Sequence, residues 1–272
     1  NGFDNGGESL ESWDVKRVTD MSHMFADASS FEGRGLGNWN VSRAVSMANM
    51  FYYSGLQGQS GISNWTTDSL ENMDEMFLSC SDFDADLGGW DTSKVTSIVG
   101  TFSGAASFKG TGLKDWKVHE VVDMRDAFAE AISFNADLGW WKVRKVENME
   151  RMFYVAESFQ GDGLENWNVA KVTSMDGMFA SASNFNGDLS SWEVSKVTSM
   201  DQMFASASNF NGDLSSWEVS NVEDVDEMFY DAYNFQQNLS AWDQFLSSGV
   251  STDGAFQNTK CPEADRSPEH HD

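Results

Sequence analysis

The chain has 272 residues, with 43 Asp and Glu against 17 Lys and Arg, for a net charge of −26. Nucleic acids and anionic membranes are held by cations that displace counterions, so this balance excludes both as partners. No run of about 18 apolar residues occurs, which excludes a membrane-spanning helix.

Ten of the eleven tryptophans recur every 25 or 26 residues: Trp13, Trp39, Trp65, Trp90, Trp116, Trp141, Trp167, Trp192, Trp217 and Trp242. Residues 1–9 read as a partial coil before the first full unit. From Leu10 to Trp242 the spacing defines nine full coils. In each coil Leu (once Ile62) stands three residues before the Trp, and Val usually stands two after it. Further Val, Met and Phe positions follow at three- and four-residue intervals, with Phe at twelve after in all nine coils. Residues 178–195 and 203–220 are identical, the mark of a duplication.

Around the Trp the apolar period is two, which predicts a short strand; beyond it the period lengthens and predicts a helix of about two turns. Thr173–Asp176 and Thr198–Asp201 have the spacing of a capping box at the start of that helix. Turn residues close each coil, such as Asn186-Gly187-Asp188. The one-residue length difference falls there, coils with two spaced glycines running to 26.

The expected fold is therefore an α/β repeat solenoid. It has one short parallel strand and one short helix per coil, stacked about 4.8 Å apart because neither element is stable alone. Gln57 interrupts the second Phe position. Thr66-Thr67 and Ile98–Thr101 also depart from the pattern, so distortion is expected in the third and fourth coils. Residues 243–258 read as a degenerate capping coil, giving a solenoid over 1–258. Residues 259–272, with Pro262, Pro268, His270 and His271, read as a flexible charged tail.

The phrase W-x-V-S-x-V-T-x-M-x-x-M-F-x-x-A-x-x-F-N-x-D-L-S-x-W, best seen over 167–242, resembles the 26-residue repeat of bacterial surface lipoproteins, the BspA-like branch of the leucine-rich repeats. The resemblance covers about 10–242. It implies a leucine-rich-repeat-like solenoid on a secreted or cell-surface protein associated with adhesion and display, and it supplies no catalytic motif.

Catalytic chemistry has little to work with. The four His are His23, His119, His270 and His271, and no metal-spaced His/Cys set, phosphate loop or nucleophile elbow is present. Cys80 takes a position that is Ala or Ser in the other coils and reads as a small buried thiol, and two cysteines make no disulfide framework. No cofactor is expected. Asp137, Asp162, Asp188 and Asp213 occupy one turn position in successive coils. They read as turn formers, with calcium bridging the column as the alternative.

If each Trp and the residue two after it point inward, then the residues one before, one after and three after point outward. That face carries Trp140, the one Trp outside the column, with Lys117, His119, Lys142 and Arg144. It reads as a partner-binding hot spot or sugar-stacking platform, or else as a Trp lying flat among solvated cations. Asn40, Asn64 and Asn238 lie in glycosylation sequons. The function expected is a non-enzymatic extracellular or cell-surface interaction or structural module, its partner a protein or another copy. The alternatives are a calcium- or mineral-associated acidic protein and a glycan-binding or glycan-acting one.

Overall fold

The structure is a computed structural model, and it describes residues 10–244, 246 and 249–262. The chain winds as a solenoid whose coils are joined by nine isolated parallel bridges. They run Asp20 to Ser46 to Asn72 to Ser97 to Asp123 to Asn148 to Ser174 to Ser199 to Asp224 to Ser251. Each bridging residue up to Asp224 stands seven residues after its Trp, so the ladder runs where the sequence pattern predicts the helix to begin.

The expected strand is half right. Trp39, Trp65, Trp116 and Trp167 are extended, with φ between −69° and −80° and ψ between 132° and 140°. Those values are close to polyproline II, and no bridge forms at the Trp. What replaces a ladder bond is a side chain. Every column Trp from Trp39 to Trp242 donates its indole N–H to the carbonyl of the Leu (or Ile62) that opens the preceding coil, at 2.8–3.1 Å.

Among the described residues the expected two-turn helix is absent. In its place three overlapping turns follow one another, as in Met203 N–H to Met200 O, Ala205 to Gln202 and Ala207 to Phe204. The residues ten and fourteen after each column Trp from Trp13 to Trp217 take positive φ, as at Gln202 (54°) and Ser206 (58°). This places a left-handed residue third in the first and last turns, as type II turns require. The left-handed residues swing alternate N–H groups out of the coil. Met200, Gln202, Phe204 and Ser206 then donate to Asp224, Asp226, Met228 and Tyr230 of the next coil at 2.6–3.0 Å. A helix would have closed those donors on its own carbonyls and left the coils unbonded.

Short 3₁₀ turns, Leu36–Asn38, Ile62–Asn64, Leu113–Asp115 and Leu164–Asn166, close the four 26-residue units. Each follows a glycine at φ 82–90°. The extra residue is thus absorbed by a left-handed Gly, a conformation that strains other side chains.

The core is a set of columns. Neighbouring Trp rings stack with centroids 5.9–6.5 Å apart. The Phe column stacks at 5.4–5.9 Å, as from Phe179 to Phe204 to Phe229. Except at Phe51, whose coil has Gln57 instead, each full-coil Phe of this column also packs face to face on the second Phe of its coil, 4.0 Å away at Phe204 and Phe210.

Coils three and four are not distorted: their bridges are continuous, Thr67 donates to the Asp91 carbonyl, and buried Thr101 donates to the Met73 carbonyl. Where Gln57 turns outward, Leu56 is buried in its stead. Cys80 is fully buried as a free thiol, donating to the Phe51 carbonyl at 2.9 Å; burial pushes its pKa up to about 11. At the C-terminal end the bridge falls nine residues after Trp242 instead of seven, and Ser251, Asp253, Ala255 and Gln257 accept the last set of N–H donors. Packing continues past the expected boundary at 258, for Cys261 is 3% exposed and lies against the Gln237 carbonyl. The rest of the expected tail, 263–272, lies outside the described residues, as do 1–9.

The apparent capping box links coils. Ser97 Oγ donates to Asp74 at 2.6 Å, Ser251 Oγ to Asp226 at 2.8 Å, and Ser199 Oγ to Asp176. Asp201 meets Asp224, where Asp74, Asp176 and Asp226 each meet a Ser. Burial pushes its carboxyl up and the charges of Asp224, Asp176, Asp226 and Glu227 push it further, to about 6.

Two predictions follow from these contacts. Replacing Phe204 or Trp192 by Ala should cost about 3–5 kcal/mol in urea unfolding, while Trp192→Phe should cost less, about 2 kcal/mol, for the indole hydrogen bond and the smaller ring together. A loss below about 0.5 kcal/mol for either Ala variant would remove that residue from the core. Between about pH 4 and 6 the folded chain holds a proton on Asp201 that the unfolded chain has lost, so stability falls as pH rises through that window. Asp201→Asn should therefore stabilise the protein above pH 6, by about 1 kcal/mol after screening by solvent. Melting curves should show the gain vanish below pH 4, and an equal gain at every pH would refute this.

Candidate binding surface

The locked Trp column decides what faces outward. Trp141 is fully buried with its indole on the Leu113 carbonyl, and Val143 is buried beside it. The alternation leaves Trp140, Lys142 and Arg144 exposed, as Val118 between them does for Lys117 and, partly, His119. Trp140 is 70% exposed.

The five expected partner-binding residues fall in three settings. Lys117 pairs with Asp91 at 3.1 Å. His119 and Arg144 belong with Lys145 around Glu120. The Lys145 hydrogen bond, and beyond it the charges of Lys145, His119 and Arg144, hold the Glu120 carboxyl below its usual range. Trp140 and Lys142 instead line an open concavity of about 1000 Å³ that runs over three coils.

The same concavity takes in three of the four column aspartates, Asp137, Asp162 and Asp188. Asp137, Asp188 and Asp213 each accept the backbone N–H two residues on, at 2.8–2.9 Å, which is the turn-forming role. The Ser190 hydroxyl and backbone N–H hold the Asp188 carboxyl below the usual range, and the Ser215 backbone N–H and hydroxyl do the same for Asp213. Among the described residues no three His, Cys, Asp or Glu side chains come together closely enough to hold a metal ion.

The concavity has a floor without side chains. Gly139 packs on Gly163 and Gly161 on Gly187, so closely that a Cβ on Gly163 would lie 2.2 Å from the Gly139 nitrogen, and one on Gly161 2.8 Å from the Gly187 Cα. Asn184 and Asn186 form the far wall, and both are fixed: Asn184 donates to the Glu157 carbonyl, and Asn186 accepts from the Asn211 N–H. The sequence pattern showed little of this hollow, because its floor is defined by coil-to-coil approach. The two spaced glycines of the 26-residue unit were its visible trace.

The sequon residues Asn40, Asn64 and Asn238 are all exposed. Asn40 and Asn238 each accept from the backbone N–H and the hydroxyl of the Ser two residues on.

No curated protein matches the chain. Among solved structures, a leucine-rich repeat protein from Eubacterium ventriosum is 12% identical, covering 82% of this chain and 76% of that one with a TM-score of 0.25. A leucine-rich cell surface protein from Faecalibacterium prausnitzii is 15% identical, covering 87% and 80%, also with a TM-score of 0.25. Superpositions this loose carry no weight for function. The repeat itself matches the family described as Mycoplasma protein of unknown function, DUF285, over residues 2–111, 83–163 and 160–267, and the chain belongs to that family.

Proposed function

We propose that the protein is a non-enzymatic, leucine-rich-repeat-like interaction module displayed outside the cell, built to hold a rigid face toward a protein partner. The observation that carries this reading is Trp140, 70% exposed on a face whose backbone is fixed by the buried Trp column. A large aromatic left in water beside cations has the character of an interface anchor. Arg144, His119 and Lys145 gather on that face in a chain of charge −26. They give an acidic partner one place to approach, where the rest of the surface repels it.

Repetition argues against catalysis. Carboxylates recur here as columns, each copy in the same turn, whereas acid–base chemistry needs two groups held in unlike environments. The net charge suits an exterior of high ionic strength, where screening limits self-repulsion.

The test is quantitative capture of a partner from the surface fraction of the source cells by the immobilised chain. The double variant Lys117→Glu/Arg144→Glu should weaken capture about tenfold, chiefly through slower association. Light scattering that finds an assembly larger than the 30.2 kDa chain would make the partner a second copy. A monomer whose captured set is unchanged by the charge reversal would overturn the reading.

A further inference from the structure

The hollow beside Trp140 has a chemistry different from that of the cationic strip. Its walls are amides and carboxylates, its floor is bare glycine backbone, and its one large apolar surface is the exposed ring of Trp140. An apolar ligand finds too little to bury there, since such sites are lined mainly by hydrophobic side chains. A pyranose ring matches better, because one face presents C–H groups that stack on an aromatic ring while its edge presents hydroxyls. Each hydroxyl both donates and accepts, and planar carboxylate and amide groups serve both needs. The hollow spans three coils, roughly 10 Å at the spacing of stacked strands, which suits a short run of sugar rings.

We propose that this hollow is a carbohydrate-binding subsite, with Trp140 as the stacking platform and Asp137, Asp162, Asn186 and Asp188 as hydroxyl partners. The acceptors are in place before binding. Asp137 and Asp188 are each held in place by the backbone N–H two residues on. Asn186 uses its oxygen on the Asn211 N–H, which leaves its amide donors for the ligand. Charge narrows the class. Asp137, Asp162, Asp188 and Glu165 stand against Lys142 alone, so the hollow selects a neutral or N-acetylated sugar over a uronate or sulfated one.

The chain contains its own control. Two coils earlier the same corner recurs around Asp86, Gly88, Gly112 and Asp115 as a hollow of about 470 Å³. There Gly89 stands in the place of Trp140, and a Cβ at Gly89 would meet nothing closer than the Ser63 carbonyl at 3.5 Å. The frame repeats, and the platform is unique to one copy.

This subsite shares Trp140 with the partner reading above, but Lys117 and Arg144 lie outside the hollow, so reversing their charge tests that reading without touching the subsite. Isothermal titration of the full chain with cellohexaose, chitohexaose and hexagalacturonate at millimolar concentration decides it. The expected result is saturable binding of a neutral or N-acetylated hexamer, about tenfold weaker in Trp140→Gly, the loss of one stacked aromatic. Binding should be unchanged in Lys117→Glu/Arg144→Glu. Because Trp140 is exposed, Trp140→Gly should melt with the parent protein, and Asn186→Ala should also weaken binding. Binding of none of the three, preference for hexagalacturonate, or equal binding by Trp140→Gly would overturn the proposal.

Discussion

The indole N–H of each column Trp, donated to the Leu carbonyl that opens the preceding coil, sets the register of the whole array. That carbonyl also accepts the backbone N–H of its own coil's Trp, as Leu164 does from Trp167 at 3.0 Å and from the Trp192 indole at 2.9 Å. Both lone pairs of one buried oxygen are then used. A coil that slid along its neighbour would leave the buried indole donor unpaired, at a cost of about 1–3 kcal/mol, and one lone pair of the carbonyl unused. The ring stacking, the buried Val two residues on and the outward direction of the residues between them follow from that lock.

The second constraint is directional. In the turn segment the N–H groups point along the array toward the next coil, which they reach only because two residues per coil adopt positive φ. Glycine takes that role at Gly100, Gly104 and Gly177, but Glu75, Arg151 and the β-branched Val155 also sit there. A left-handed non-glycine residue costs about 1–2 kcal/mol, and the inter-coil bonds, four between coils eight and nine, offset it. The strain is stable only inside the stack, as expected where each coil is held by its neighbours.

That is also why the sequence misleads about local structure while reading well at larger scale. Periodicity located the columns, the coil count, the buried Cys80 and the outward place of Trp140, because burial is a property of the repeat. It predicted a helix after Val because Met200, Met203, Phe204 and Ala207 have helical spacing. A run of turns with i to i+3 bonds produces nearly the same spacing, and only the φ values at Gln202 and Ser206 tell them apart. Ser199 and Asp201 look like a cap in one dimension, yet Ser199 bonds to Asp176 of the coil before. The indole bond left a trace in hindsight: one aromatic column is always Trp and its neighbour always Phe, which marks the first as needing a donor.

In a chain where every coil repeats the same frame, columns carry stability and departures from them carry specificity. Asp137, Asp188 and Asp213 repeat because each closes a turn, and repetition by itself gives no ligand a reason to choose one of them. Trp140 departs. Its counterpart Gly89 has the same glycine-floored corner and no side chain to offer. Since Gly89 has room for a side chain, packing does not explain the contrast, and since Trp140 stays 70% exposed, burial does not repay the ring. A tryptophan held in water by a frame that gains nothing from it is best accounted for by contact with something outside the chain.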